Sequence, residues 1–164
     1  MESELTQVLV RRRDALGRHL AYSSVRKAIW HMDINVPTVA CSCCGYLTLP
    51  DGGHEFCILC RWFDDWQDDP DAALVLPGPN HPRSLAVARR LFRDTLSALS
   101  SDDEFFAEEQ ELKPEKQRVI EVFDKMAGAV SSAEYIESFV VAQRLLGELK
   151  ARRQALGDVR RASQ

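Results

Sequence analysis

The chain has 164 residues, of which 45% are hydrophobic and 28% are charged, and its formal net charge is −4. This length suits one domain with a single core, and the composition excludes a disordered, collagen-like or low-complexity protein. No apolar run approaches the roughly 20 residues that cross a bilayer, and the first residues lack the basic and apolar stretches of a secretion signal, so we expect a cytoplasmic protein without a membrane partner.

Residues 1–36 are predicted to form one or two helices. Arg11, Arg12 and Arg13 are expected on a solvated face. Pro37 ends this segment, because the residue before a proline avoids helical geometry. The apolar residues that recur at a broken helical spacing, and are expected to face inward, are Leu5, Val8, Leu9, Leu16, Leu20, Val25, Ile29 and Met32.

Residues 37–82 are predicted to form a loop-and-hairpin module, because the helical period disappears and turn residues crowd together. The sequence Pro50-Asp51-Gly52-Gly53 supplies the predicted hairpin turn. Residues 1–33 carry a net charge of +2, residues 38–80 carry −6, and residues 81–164 are neutral. The cysteine-bearing segment is therefore acidic, which is the wrong sign for contact with a phosphate backbone.

Residues 83–164 are predicted to form several helices. The first begins after Ser84, a suitable N-cap, and presents Arg89, Arg90 and Arg93 on the face opposite its apolar residues. Its predicted inward residues are Leu85, Ala88, Leu91, Phe92, Thr95, Leu96 and Leu99.

Three further helix starts follow. Asp102 or Asp103 is expected to cap a short helix through Phe105 and Phe106. Pro114 fits the first turn of the next helix, and Ser131 with Glu134 has the form of a capping box. The predicted inward residues of these last two helices are Val119, Ile120, Phe123, Met126, Val130, Ile136, Phe139, Val140, Leu146 and Leu149.

The tail after Gly157 is polar and expected to fray. The segments 1–36, 37–82 and 83–164 are expected to pack as one compact domain. Its predicted class is α+β, with a small hairpin module packed against helices.

Five cysteines carry the strongest motif in the sequence. Cys41 and Cys44 form one CxxC pair, and Cys57 and Cys60 form another after twelve intervening residues. Each pair suits a tight turn whose thiolates converge on one cation, and Gly45 lets the first turn curl back toward its sulfurs. A hairpin between the pairs would bring them together. The four sulfurs are therefore the predicted ligands of one metal ion.

Structural zinc is the predicted ion, because four cysteines leave no open coordination position. The hairpin module of the predicted α+β fold is therefore expected to be zinc-ribbon-like. A redox dithiol and an iron site remain alternatives, although no βαβ pattern accompanies the pairs. The fifth thiol, Cys43, is interpreted as a buried small residue rather than as a reactive group. His54 is interpreted as an ordinary hairpin residue. Since an enclosed ion activates no water, we expect the protein not to be an enzyme.

The second distinctive feature is a run of carboxylates with interleaved aromatic residues over residues 62–71. Its spacing does not match a calcium-binding loop. One interpretation is a solvated acidic turn. The other is a docking surface for a basic protein, in which aromatic anchors supply buried area and carboxylates steer association. The predicted partner-binding residues are Trp62, Asp64, Asp65, Trp66, Asp68 and Asp69.

Taken in order, these motifs resemble those of the cysteine-rich CPCC domain family. The similarity runs from Cys41 to about Phe92, with Ser42 where the family name has proline and Phe63 where an acidic residue is expected. The resemblance implies a small bacterial zinc-binding protein and transfers no catalytic residue. It also implies a context beside bacterial toxins, in which a small acidic protein serves as an immunity factor. The matching features are CSCCGYLTL, Cys57, Cys60, Trp62, DDWQDDPD, Gly78, Asn80, Ser84, Leu85, Ala88 and Arg89.

The sequence therefore predicts a non-enzymatic zinc-binding module that binds a basic partner protein, with neutralisation of a cognate toxin as its specific form. The alternative is a nucleic-acid-binding zinc ribbon that uses the arginines of residues 11–13 and 89–93. That alternative requires those arginines to form one patch away from the aspartates.

Overall fold

The structure, a computed structural model, describes residues 2–31, 37–50 and 53–162. Met32, Asp51 and Gly52, which the sequence analysis assigned to an inward face and a turn, lie outside these ranges. No helix in the described ranges combines the length and apolar character needed to cross a bilayer. The elements in chain order are α1 (Glu2–Gly17), a 3-10 turn (His19–Ala21), α2 (Ser23–Trp30), β1 (Val39–Ala40), β2 (Leu47–Leu49), a 3-10 turn (Asp69–Asp71), α3 (Leu85–Thr95), α4 (Phe106–Glu111), α5 (Lys113–Ala127) and α6 (Ser132–Ala162).

The helical part is built on the pair α5 and α6, which pack along each other. Helix α1 rests on α5, α2 rests on α6, and α4 contacts both members of the pair. Apolar residues at helical spacing supply the shared core, as the sequence predicts. Its fully buried members include Leu16, Val25, Val119, Phe123, Met126, Phe139 and Leu149.

Three valines predicted to face inward are exposed instead: Val8, Val130 and Val140. Val130 lies in the connection between α5 and α6, outside either helix. Val8 and Val140 lie on the solvent-facing side of their helices. Each is adjacent in sequence to a buried residue, and because a helix turns about 100° per residue, the neighbour of a buried residue points away from the core. The inward prediction is therefore wrong at these positions.

Most of the predicted helix starts are confirmed. The Ser84 hydroxyl accepts a hydrogen bond from the Val87 N–H at 3.3 Å, and Pro114 lies in the first turn of α5. The Ser131 hydroxyl accepts from the Glu134 N–H at 3.2 Å. These side chains satisfy backbone donors that have no partner inside the helix.

Asp103, in contrast, does not cap a helix. One of its carboxylate oxygens accepts the N–H of Ser100 at 2.6 Å and lies 2.8 Å from a guanidinium nitrogen of Arg83. Helix α4 begins at Phe106 without a side-chain cap. Asp103, which was expected to cap the helix, therefore stabilises the loop before it instead.

Helix α6 continues to Ala162, five residues beyond Gly157, where the sequence predicts a fraying tail. Arg160 holds this end in place. Its guanidinium carbon lies 4.2 Å from the centre of the Phe105 ring, and its Nε lies 3.1 Å from a carboxylate oxygen of Glu108. These contacts join residues that are distant in sequence, so the local sequence pattern did not predict them.

Two small hairpins carry the cysteine pairs. Strand β1 pairs antiparallel with β2, and the first CxxC lies between them. A bridge between Phe56 and Phe63 flanks the second CxxC in the same way. The expected hairpin linking the two pairs is therefore wrong in its placement, because each pair sits at the tip of its own hairpin. The α+β class with a ribbon-like module is confirmed.

Candidate metal centre

The two CxxC turns have the same backbone geometry. The N–H of Gly45 donates to the carbonyl of Cys41 at 2.8 Å, and the N–H of Arg61 donates to the carbonyl of Cys57 at 2.9 Å. Gly45 and Arg61 both have left-handed backbones, with φ of +76° and +73°. This conformation reverses the chain after the second cysteine of each pair, as predicted for Gly45.

Arg61 adopts a conformation that disfavours residues with a Cβ by roughly 1–2 kcal/mol. Its side chain explains why it stays there. The guanidinium lies over the rings of Phe56 and Phe105, at 5.1 and 5.7 Å from their centres, and its Nε lies 3.9 Å from a carboxylate oxygen of Glu109. These contacts offset the backbone strain.

The turns bring the four predicted ligands together, each fully buried with 0% exposure. The Sγ atoms of Cys41 and Cys60 lie 3.7 Å apart, as do those of Cys44 and Cys57, and all four lie within 4.8 Å of one another. Sulfurs in a tetrahedron around zinc, with bonds of about 2.3 Å, are about 3.8 Å apart. The four cysteines therefore fit a single metal ion, and all are free of disulfides.

Burial in this pocket works against isolated thiolates. It raises the pKa of the Cys41, Cys44 and Cys60 thiols well above the ordinary value. Burial also raises the pKa of Cys57, but hydrogen bonds from the other three thiols and from Thr48 outweigh it and leave that pKa lowered. Buried thiols that carry charge together only beside a cation are typical of a metal site.

Hydrogen-bond donors surround the sulfurs. The Thr48 hydroxyl lies 2.9 Å from the Sγ of Cys57, and the N–H of Cys60 donates to the same sulfur at 3.4 Å. The N–H of Trp62 donates to the Sγ of Cys60 at 3.4 Å. Such donors stabilise sulfur in its charged, metal-binding form and fix its direction.

Cys43 lies outside this group of four, as the sequence analysis expects. It is 1% exposed and belongs to the same buried core. Its interpretation as a buried residue is confirmed.

Arginines from the helices bind the carbonyl oxygens of the first turn. The oxygen of Ser42 accepts from Nε and a terminal nitrogen of Arg89, at 3.1 and 2.9 Å, and from Arg13 at 2.9 Å. The oxygen of Cys44 accepts from Arg12 at 2.6 Å. The expectation that these arginines face solvent is wrong, and Arg89 is only 3% exposed.

The second turn is bound in the same manner by Arg153 of α6, whose guanidinium donates to the carbonyl of Ile58 at 2.7 Å. The same guanidinium makes two hydrogen bonds to Glu109, at 2.7 and 3.0 Å. Glu109 in turn lies 2.7 Å from the Nζ of Lys116. Sequence reasoning missed this buried ion cluster, because its members come from three helices and share no local pattern.

The acidic segment is also engaged by arginines. Arg13 lies 3.1 Å from a carboxylate oxygen of Asp68, and Arg89 lies 2.6 Å from one of Asp69. The nucleic-acid alternative requires arginines away from the aspartates, and these two do not meet that requirement. Arg93 is paired as well, with Asp94 at 2.7 Å.

The predicted docking residues separate into buried and exposed groups. Trp62 is 1% exposed and cannot contact a partner, so this prediction is wrong. It belongs to the buried core, as does Tyr46, and each of these aromatic residues directly follows the left-handed residue of a CxxC turn. Trp66 is 65% exposed, and its indole N–H donates to Nε2 of His54 at 2.6 Å.

Two predicted docking carboxylates, Asp64 and Asp65, have no ion pair within the described ranges. Asp65 accepts hydrogen bonds from the side chain of Asn80 at 2.9 Å and from the N–H of Gln67 at 3.2 Å. Asp64 is half-buried, and this burial raises the pKa of its carboxyl group above the ordinary value. Its charge therefore lacks the compensation that Asp68 and Asp69 receive.

Asn80 is a structural residue to which sequence reasoning gave no role. Its side-chain oxygen accepts the N–H of Phe63 at 3.0 Å, and its amide donates to the carbonyl of Phe63 at 2.8 Å. Together with its bond to Asp65, these contacts fix the acidic segment to the second hairpin. The sequence signal for this structural role was the presence of Asn80 among the residues that resemble the CPCC family.

Comparison with known proteins agrees with this geometry. Residues 39–110 match the family model described as Cysteine-rich CPCC. The matched segment contains both cysteine turns, the acidic segment, all of α3 and most of α4. Searches of curated proteins and of solved structures find no match to the chain. The similarity to the cysteine-rich CPCC family is therefore confined to residues 39–110, and helices α1, α2, α5 and α6 lie outside the matched segment.

Proposed function

We propose that this protein is a non-enzymatic module in which one structural zinc ion joins two hairpins, and whose activity is to bind another protein. The observation that carries the proposal is the closed shell of four buried sulfurs. Cys41 and Cys44 would hold the ion from one hairpin, and Cys57 and Cys60 from the other. A tetrahedral ion with four thiolates has no position for a substrate or a water molecule.

Zinc is favoured over an iron–sulfur cluster by the size of the sulfur group. All four Sγ atoms lie within 4.8 Å of one another, which suits the shell of one ion. A cluster of two or four irons distributes its cysteines over several metal ions. Zinc supplies no redox chemistry in such a site and contributes folding free energy instead.

The proposed docking region, here called the Trp66 surface, consists of His54, Phe56, Asp64, Asp65 and Trp66. Its aromatic members Phe56 and Trp66 are exposed, and its two carboxylates have no ion pair within the described part of the chain. Exposed aromatic side chains supply the buried area of binding hot spots, and uncompensated carboxylates attract a basic partner. Asp68 and Asp69 are left out of this surface, because arginines already neutralise them.

A basic partner of this kind includes a toxin with a positively charged active cleft. Neutralisation of such a toxin is the specific form of the proposal, and its support is the family resemblance together with the acidic charge of residues 38–80. The electrostatic part of this binding should weaken as salt screens the charges.

The test compares two exposed tryptophans. We expect Trp66→Ala to weaken binding to basic partners captured from a lysate of the source organism by about 30-fold, because a central aromatic anchor contributes about 2 kcal/mol. Trp30→Ala is the matched control, since Trp30 is also highly exposed but lies on α2. Affinities of captured proteins are measured by titration at low and high salt. Equal binding by both variants, or binding insensitive to salt, would contradict the proposal.

A further inference from the structure

The four arginines that bind the cysteine turns come from three different helices. Two belong to α1, one to α3 and one to α6. Each donates to a backbone carbonyl within a turn that carries two of the clustered sulfurs. We call this set the arginine collar, and it consists of Arg12, Arg13, Arg89 and Arg153.

We propose that the arginine collar is an outer shell of the metal centre, which sets the affinity for the ion and couples its binding to the helices. This inference rests on the proposed structural zinc. The inference goes beyond that proposal, because four cysteines alone specify where the ion binds but not how strongly.

The charge of the loaded site supports this role. Four thiolates around a divalent ion carry a formal charge of −2, and all four sulfurs are fully buried here. An uncompensated buried charge is costly, so cations nearby favour the loaded state. Residues 41–60 contain neither lysine nor arginine. Compensation must therefore come from outside these residues. Arg61 follows Cys60 directly, and within the collar Arg12 has no carboxylate partner in the described ranges, whereas Arg13, Arg89 and Arg153 are shared with Asp68, Asp69 and Glu109.

The positions of the contacts also support it. Ser42 and Ile58 are equivalent, because each follows the first cysteine of its CxxC pair. The carbonyl of Ser42 is bound by Arg89 of α3, and that of Ile58 by Arg153 of α6. Unrelated helices thus make the same contact to the two turns. This repetition indicates that the arginines recognise the turn itself.

On each of the three helices, a second arginine next to a collar arginine serves as a matched control. The side chains of Arg11, Arg90 and Arg152 are exposed and make no hydrogen bond or ion pair within the described ranges. Each is adjacent in sequence to a collar arginine. Replacing collar residues and their neighbours by glutamine therefore removes the same charge from the same helix, with and without the contact to the turn.

The experiment measures the zinc affinity of the full chain by competition with a chromophoric chelator. We expect Arg12→Gln and Arg89→Gln to weaken zinc binding by about 10- to 100-fold, as loss of outer-shell partners does at other metal sites. Arg11→Gln and Arg90→Gln should stay within about 2-fold of the wild type. Arg12 makes no ion pair in the described ranges, so its variant leaves no carboxylate unpaired and decides the result if Arg89→Gln fails to fold.

A second readout separates the outer shell from a general loss of stability. With Co²⁺ in place of zinc, the collar variants should shift the thiolate-to-cobalt charge-transfer band, and the control variants should not. Tyr135→Phe serves as the destabilised control, because it removes the buried hydrogen bond to the Leu16 carbonyl and leaves the collar intact. Wild-type affinity and an unshifted band in Arg12→Gln would overturn the inference while leaving structural zinc intact. A wild-type chain that binds no zinc would overturn both proposals.

Discussion

Serine in place of any one of the four clustered cysteines is expected to release the metal ion and unfold the residues around it. The free energy of zinc binding by such sites is about 10–16 kcal/mol and is coupled to folding. A domain of ordinary stability, about 5–15 kcal/mol, cannot lose it and remain folded. The four variants are Cys41→Ser, Cys44→Ser, Cys57→Ser and Cys60→Ser. Zinc per chain is measured by elemental analysis, and folding by circular dichroism.

Cys43→Ser is the control for this series. Cys43 is equally buried but lies outside the group of four sulfurs. We expect it to retain one zinc ion per chain and to lose no more than about 1–2 kcal/mol of stability, which is common for a substitution in the core. Equal loss of zinc in all five variants would show that the ligand assignment is wrong.

The second large effect is expected at the buried ion cluster. Glu109 and Lys116 are 2% and 0% exposed, and Arg153 completes the group. Glu109→Gln removes the counter-charge of the buried Lys116 and of the partly buried Arg153 and Arg61, which should lower the free energy of unfolding by about 3–5 kcal/mol. Chemical denaturation of the zinc-loaded protein measures this change. A loss below about 1 kcal/mol would contradict the importance of the cluster.

Glu108→Gln is the matched control for that substitution. Glu108 is adjacent in sequence and pairs with Arg160 near the surface. A partly exposed pair contributes about 0–1 kcal/mol, so the control variant should remain close to the wild type.

The cluster also makes stability depend on pH. Burial raises the pKa of Glu109, but Arg153 and Lys116 outweigh it and hold that pKa below the ordinary value. The folded chain therefore favours the carboxylate, and this contribution is present above the unfolded pKa of about 4.3 and lost as the pH falls through the lower folded value. The stability difference between wild type and Glu109→Gln should accordingly shrink below about pH 4.3.

The metal ligands were predictable because CxxC spacing is a local constraint. Two thiolates three residues apart converge in any tight turn, and only the pairing of the turns depends on the rest of the fold. The burial of Trp62 was also predictable from the sequence. Cys44-Gly45-Tyr46 and Cys60-Arg61-Trp62 share one pattern, and the aromatic residue after each left-handed position is buried.

The arginines were not predictable by the same reasoning. Helical periodicity assigns charged residues to solvent, and it treats Arg89 and Arg90 alike. Arg89 is buried because α3 passes beside the carbonyl of Ser42, which is a contact across 47 residues. The available hint was the charge distribution, since the −6 segment contains a single basic residue and needs cations from elsewhere.

X-ray absorption spectroscopy on the purified full chain identifies the bound ion and counts the atoms that surround it. We expect one zinc ion per chain, surrounded by four sulfur atoms at about 2.3 Å and by no oxygen or nitrogen. A folded chain without metal, or an ion with an oxygen or nitrogen atom in its shell, would contradict this expectation.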